Sequence, residues 1–595
     1  MKNHQQNPIR LVFTIIAILF INCIGHAILY TATSSGNWSN PLTWGGVVPE
    51  TELKDNQVLI PTGITVNMDV DVFLNGTPVI LEVNGTLLAK PNSIFTASWG
   101  LISGTGIMTF DNMEINGGTT MIFNGVLTTK YLTNGLPDFK VEADVNVTQS
   151  LFLTNGKMTL IDNGSLTMGI NADIVVTHGA IILSGGSLEL NNPYNVNYTN
   201  ESTDAGAELI GLGLNNVLVN VQDSASKVVL STNMSLTGTL NLMNGTLSLN
   251  GHDLRIEGHI GINDNGTLSS SGVSNLIINT KESPGGSLKF IQGEDILNNL
   301  AVEIKDGGKL IMDSNINIDG LLEFKAGKLD IGNNRVKLAS AASISGASLS
   351  SYIITGANGN LSMNVKTAGG NKVLFPIGTS AYYAPAQFSL SPNSNNLRLN
   401  LNVRPDVWQN VNSGIDLSIV QPLVDFTWNL SSDTAISNIN LTSDLMWPVN
   451  AEVNGFNRKK AYESSYQSNK WDKITSSGSI ALGNGLYTIT RDNITNLSSL
   501  TVFDENAITP VNNLIEYSNV IVYPNPVTST LYIKNKIELI ANGKAEIFNL
   551  SGELLKTYHL VNSNEAISVL ELIPGTYLLK ITVNGTSEVK RFIKQ

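Results

Sequence analysis

The stretch that decides the fold is Ser235–Ile256, SLTGTLNLMNGTLSLNGHDLRI. Leu240 and Leu242 alternate with polar residues, Asn244-Gly245 turns the chain, and Leu247 and Leu249 resume the alternation. Asn250-Gly251 turns it again before Leu254 and Ile256. Strict period two gives each short strand one apolar face and one wet face. The pattern recurs 82 residues on in Asn317–Leu338, with Leu322, Phe324, Leu329 and Ile331 in the apolar places, and more loosely in Val147–Met168. The flanks match too: LNNVLVNV at Leu214 resembles LNNLAVEI at Leu297. A repeat this long holds several coils of a stacked β structure.

Two architectures use such strands. Asn-Gly is the favoured type I′ hairpin turn, which allows a meander or sandwich. The inward sets are mostly only two residues, however, and alternation resumes on the same side after each turn. Short one-sided strands, repeated without a helical pattern, fit a right-handed parallel β-helix better, in which each turn stacks on the last. The repeats run from about Val79 to Ser348, punctuated by Asn-Gly pairs at Asn84, Asn116, Asn124, Asn134, Asn155, Asn163, Asn244, Asn250 and Asn265. Glycine at these turns supplies positive φ, and asparagines stacked on successive turns are placed to form amide ladders.

The chain has 595 residues, of which 14% are charged, with abundant Gly, Asn, Ser and Thr. That is a turn-rich β composition rather than a helical or disordered one. The net charge of −13 and the lack of a basic stripe exclude nucleic acid as a partner. The N-terminus reads as an export signal: Lys2 and Arg10, the apolar run Leu11–Ile21, and the small-x-small site Gly25-His26-Ala27, with cleavage after Ala27. Eleven apolar residues are too few for a membrane helix, which needs about twenty. Acylation of Cys23 is the weaker reading, because Asn22 stands where a small residue is needed. Cleavage would remove the only cysteine and shift the charge to −15. No later apolar run is long enough to span a bilayer, so the chain is not expected to be an integral membrane protein.

The segment Thr31–Val72 carries Trp38, Pro41, Trp44, Gly45-Gly46, Pro49 and Val58-x-Ile60-Pro61-x-Gly63. It resembles the eight-glycine domain over about Ser34–Lys90, so residues 28–90 are taken as an N-terminal cap. That family is β-rich, extracellular and linked to polysaccharide contact; no catalytic residue carries over. Trp38 and Trp44 read as caps of the first turn rather than sugar platforms. Tyr352–Phe503 changes character: the repeats stop and Trp408, Trp428, Trp447 and Trp471 appear. Its alternating strands predict an antiparallel β-sandwich with the tryptophans in its core. Within it, Asn371–Phe388 resembles a segment that follows repeats in Bacteroidota surface proteins.

After a linker at Glu505–Ser518 comes Asn519–Gln595, expected to be a small C-terminal β-sandwich. Its motifs are Tyr523-Pro524-Asn525-Pro526, Asn549-x-x-Gly552, Leu572-x-Pro574-Gly575-x-Tyr577 and the basic tail Lys590–Lys594. They are similar to those of the C-terminal sorting domain of the type IX secretion system. The resemblance implies recognition by the outer-membrane translocon, removal by its signal-processing peptidase, and a passenger anchored on the surface or released into the medium.

Chemistry is harder to find. β-Helices host polysaccharide lyases and glycoside hydrolases, which need paired carboxylates across a sugar bond or a base beside bound metal. The densest ionisable cluster is Asn250–Gly266, where Asp253, Arg255, Glu257 and His259 alternate with Leu254, Ile256 and Gly258. On one strand face they would stand about 6.6–6.8 Å apart. Asp253, Glu257 and His259 are therefore the candidates if the protein is an enzyme, but an alternating-sign stripe is more often a solvated face. Arg255 falls on Lys337 under the 82-residue shift, as a recurring outward position would. No zinc spacing, nucleotide loop, serine elbow or calcium nonapeptide is present, so no metal or cofactor is expected. Asp223-Ser224-Ala225 and Asp433-Thr434-Ala435 fit the short O-glycosylation pattern of Bacteroidota exported proteins. The sequence reads as a surface or secreted structural or adhesive protein, with polysaccharide or another surface as partner; the alternative is a carbohydrate-active enzyme.

Overall fold

The computed structural model describes residues 28–280, 285–367, 371–507, 520–535, 543–562, 564–583 and 586–595. The export signal, including Ala27, and positions 508–518 of the expected linker lie outside the described residues. The described chain is all-β, with only 3₁₀ turns as helix. It forms two compact units, one of residues up to Val407 plus Leu417–Ala507, the other of Trp408–Asp416 plus the C-terminal region.

The first unit is a parallel β-solenoid of about 15 turns. Parallel pairing begins at Leu29 with Gln57 and continues to Ile353 with Ile377. The stack thus starts ahead of Val79, inside the expected cap, and runs past Ser348. One six-stranded ladder sets the turn length. Leu236, Ile256, Ile278, Val302 and Phe324 stand in register on successive turns, so each turn takes about 22 residues. The 82-residue shift therefore falls short of four turns. It carries Leu236 to Ile318, which pairs with Leu338 in a different sheet. The sequence repeat copies a strand-and-turn pattern and not a wall, and Arg255 and Lys337 lie in different sheets.

Period two places the apolar residues inside as expected. Leu240, Leu242, Leu247, Leu249, Leu254, Ile256, Leu322, Leu329 and Ile331 are fully buried, and Phe324 nearly so. Each such side chain contributes roughly 1.5–3 kcal/mol by leaving water. Asn244-Gly245 does not end a strand: Leu240–Ser248 runs through it with a register shift, and Gly245 takes φ +89°. At other Asn-Gly pairs the reason for glycine is different. Gly85 and Gly125, with Gly106 (which follows Thr105) between them, stack at one corner without positive φ. A Cβ on Gly106 would stand 2.0 Å from the Gly85 carbonyl oxygen, and one on Gly125 would stand 2.0 Å from that of Gly106. Close stacking of turns, rather than backbone handedness, excludes a side chain there.

Trp38 and Trp44 sit at the N-terminal end, buried and packed edge to face at 5.1 Å. Trp44 Nε1 donates to the Trp38 carbonyl at 2.7 Å, and Trp38 Nε1 to that of Pro49 at 3.3 Å. At the other end the solenoid passes directly into antiparallel structure. Asn360–Val365 pairs in parallel with Arg335–Leu338 on one side and antiparallel with Leu397–Arg404 on the other. Leu397–Arg404 leads on through Leu423–Ser431 and Ser499–Asp504 to Ala461–Gln467. A second antiparallel sheet holds Val373–Phe375, Ala386–Leu390, Leu441–Pro448, Leu486–Ile494 and Ile480–Ala481. The apolar core is continuous from Tyr30 to Val502, so Tyr352–Phe503 shares the solenoid's core. Its added strands cover what would be an open sheet edge. Trp428, Trp447 and Trp471 are buried there, whereas Trp408, expected in the same core, is only partly buried and belongs to the second unit.

The second unit carries seven described strands between Val520 and Lys594, in antiparallel sheets of three and four. They enclose a core that includes Leu531, Ile547, Tyr577, Leu579 and Phe592.

Candidate functional site

The alternating strip Asp253–His259 is the first place to look for chemistry. Asp253 belongs to a ladder of side chains. Its amide donates to Asn233 Oδ1 at 2.9 Å, and its own Oδ1 accepts from the Asn275 amide at 3.0 Å and from Asn275 Nδ2 at 2.8 Å. Asn275 Oδ1 in turn accepts from Asn299 Nδ2 at 2.7 Å, and Asn299 Oδ1 from the Leu321 amide at 2.7 Å. Successive turns are thus laced together along the leading edge of one sheet, as stacked asparagines are expected to do. Arg255 Nε donates to Glu257 Oε1 at 2.9 Å, with both side chains about a third exposed. The strand ends at Ile256. A Cβ on Gly258 would lie 2.0 Å from the Gly238 carbonyl oxygen, so Gly258 is a corner. His259 follows that corner, and the four ionisable residues do not share one strand face.

Two of the buried carboxyls, Glu208 and Glu463, lay beyond sequence reading. Glu208 is fully buried on a short 3₁₀ turn, Ala207–Leu209. Its Oε2 accepts from the Ile181 amide at 2.9 Å, and its Oε1 from the Gly206 amide and the Tyr198 hydroxyl, both at 2.7 Å. Burial, opposed by these donors, raises its pKa above the ordinary carboxylate value. Glu463, between the two antiparallel sheets, accepts from Ser443 Oγ at 2.5 Å, and burial raises it well above the usual range. Beside it Arg491 grips Asp472 with two bonds of 2.8 and 2.5 Å, and donates to the Glu463 carbonyl at 3.0 Å. Both groups knit interior walls together. The one available signal was negative: the stretch Ala205–Leu214 lacks period two.

The exposed surface is more regular. On one wall the register aligns Thr65, Thr86, Ile107, Val126, Asp144, Ser165 and Ser187 in one outward column. The neighbouring column holds Asn67, Leu88, Thr109, Thr128, Asn146, Thr167 and Glu189. At about 4.8 Å per turn the columns span roughly 30 Å. Hydroxyls and amides predominate, and Asp144 is engaged by Ser165 Oγ at 2.7 Å. Of the two glycosylation triplets, Asp223 folds back on the Ala225 and Ser226 amides at 2.9 and 2.8 Å, leaving Ser224 exposed. Asp433 pairs with Arg335 at 2.6 Å, and Thr434 is exposed.

In the second unit the motif residues divide by role. Asn525 Oδ1 accepts from the Ile593 amide at 2.8 Å, and its Nδ2 donates to the Arg591 carbonyl at 3.2 Å, which pins the lead-in to the last strand. Gly552 takes φ +84° in a turn where Asn549 Oδ1 accepts from the Ser551 and Glu553 amides at 3.1 and 2.9 Å. Tyr577 is buried, stacks on Phe592 at 5.6 Å, and donates to the Ile573 carbonyl at 2.8 Å, just before Pro574-Gly575. Tyr523 stacks on Tyr532 at 5.5 Å, with both rings well exposed. Pro524, Pro526 and Pro574 are exposed, and Lys590 pairs with Glu588 at 2.6 Å.

Residues 521–595 match the family described as the secretion system C-terminal sorting domain. No curated protein matches the chain. The tail is thus a type IX sorting domain, which marks the protein for export to the cell surface or the medium and implies contact with the type IX machinery. Among the described residues no helix is long and apolar enough to cross a membrane.

Proposed function

We propose that the protein is a non-enzymatic structural or adhesive solenoid that contacts polysaccharide or another surface once its tail has directed it out of the cell. The observation that carries this reading is the wall beginning at Thr65 and Asn67. Two straight columns of outward side chains, mostly hydroxyls and amides, lie in register over seven turns. A rigid ladder in which nine of fourteen side chains are hydroxyls or amides is preorganised for an extended, hydroxyl-rich polymer, and rigidity lowers the entropy cost of binding. The resemblance of Ser34–Lys90 to the eight-glycine domain points the same way. The placement of Asp253 in the side-chain ladder, and of Arg255 against Glu257, favours a supporting role for the alternating strip.

A glycan-array screen of the purified full-length protein tests the reading. Retention of one or more structural polysaccharides is expected. Failure to bind any glycan, together with no loss of surface attachment in cells lacking the protein, would overturn it.

A further inference from the structure

Five tryptophans of the solenoid and its antiparallel extension are buried: Trp38, Trp44, Trp428, Trp447 and Trp471. Trp99 is 49% exposed. It stands in register with Asn75 on the preceding turn and Gly118 on the following one. A Cβ on Gly118 would lie 2.2 Å from Trp99 Cζ3 and 2.3 Å from Cε3, and one on Gly117 would lie 3.3 Å from Nε1. The six-membered ring therefore rests over one glycine and the pyrrole edge over the other. Gly118 does not take a left-handed φ, so its lack of a side chain serves the indole and not the backbone. The ring thus packs against bare main chain while the residue stays half exposed.

From this geometry we infer that Trp99 is a stacking platform for one pyranose ring of a neutral glycan, an inference that rests on the polysaccharide-contact reading above. A flat aromatic face matches the C–H face of a sugar, which is apolar although its rim is not. The rim finds partners on the two preceding turns, Asn75 one turn away and Glu52 and Lys54 two turns away. Asn75 Nδ2 donates to Glu52 Oε1 at 3.1 Å, and Lys54 lies 3.2 Å from Glu52 Oε2. This amide, carboxylate and ammonium group offer both donors and acceptors to hydroxyls. The net charge of −13 disfavours a polyanion.

Affinity gel electrophoresis of the full-length protein tests the site, with hydroxyethylcellulose, mixed-linkage β-glucan, glucomannan and laminarin as neutral probes and alginate as the anionic one. Retardation by at least one neutral probe is expected. Trp99→Ala should lose about tenfold in affinity, with Trp99→Phe intermediate. Gly118→Ala should weaken binding without altering the ring, because its methyl displaces the indole. Binding should also shift tryptophan emission in the native protein and not in Trp99→Ala. Far-UV circular dichroism checks that each variant is folded, and the surface changes at Trp99 decide the matter if Gly118→Ala is not. Equal retardation of native protein and Trp99→Ala would overturn the Trp99 site and leave the polysaccharide reading standing. Retardation by alginate alone would overturn the assignment to a neutral glycan. No retardation by any probe would overturn the neutral-glycan site, while the broader surface-contact reading falls only on the glycan-array and attachment results together.

Discussion

If Asp253 is a rung of the side-chain ladder and not an acid catalyst, its two simplest substitutions should behave oppositely. Its Oδ1 accepts two bonds from Asn275, at 3.0 and 2.8 Å. Asparagine keeps an oxygen in that place, and alanine removes it. A typical intramolecular hydrogen bond contributes about 0.5–1.5 kcal/mol net, so Asp253→Ala should cost about 1–3 kcal/mol locally. That corresponds to a roughly 5- to 150-fold larger open population of the ladder. In a chain of this size global melting is a poor reporter, since large proteins depart from two-state behaviour. Hydrogen exchange read on a peptide covering Asn275 is a better one, because the Asn275 amide is itself a donor to Asp253. Asp253→Ala should accelerate that exchange, while Asp253→Asn should leave it within about a factor of three. Equal acceleration in both variants, or none in either, would refute the structural role.

Leu247 is fully buried in the solenoid interior, so Leu247→Asp should cost several kcal/mol by placing an unpaired charge there; protease resistance like the native protein's would contradict the inward register. Glu208 gives a pH test. Its folded pKa is raised above 4.5, so its contribution to stability is fully present below that pH and is lost as pH rises through the folded value. Denaturation midpoints of the native protein should therefore fall relative to Glu208→Gln as pH climbs above 4.5; a difference independent of pH would be the contrary result. Deleting residues 521–595 should strand a folded solenoid in the periplasm, and surface delivery of that truncated chain in a type IX-competent host would contradict the role of the tail.

Much of the fold was legible because burial follows period two. Leu240, Leu242, Leu247 and Leu249 face inward whichever wall they occupy, so alternation alone places them. What alternation cannot show is the wall, because turn lengths drift and a corner absorbs the difference. Hence the 82-residue shift equated Leu236 with Ile318, although the ladder of Leu236 leads to Phe324. Asn-Gly pairs were read as turns needing positive φ. At Gly85 and Gly125 the need comes from a carbonyl on another turn, which no local pattern reveals. The same holds at the candidate sites. Asp253 reads as an outward acid, yet its partner Asn275 lies one full turn away. Trp99 becomes conspicuous only once Gly117 and Gly118 are seen beneath it. The tail was the easiest part, since its residues stand in short motifs and Gly552 and Tyr577 fill local structural roles there, although Asn525 reaches the last strand.

The most direct test of a binding, rather than catalytic, solenoid is a prolonged incubation of the full-length protein with whichever polysaccharide it retains. New reducing ends and unsaturated products are followed together, with calcium both present and absent. The expected result is stable binding with neither product above the level of a no-protein control. Release of either product, abolished by Glu257→Gln, would contradict it.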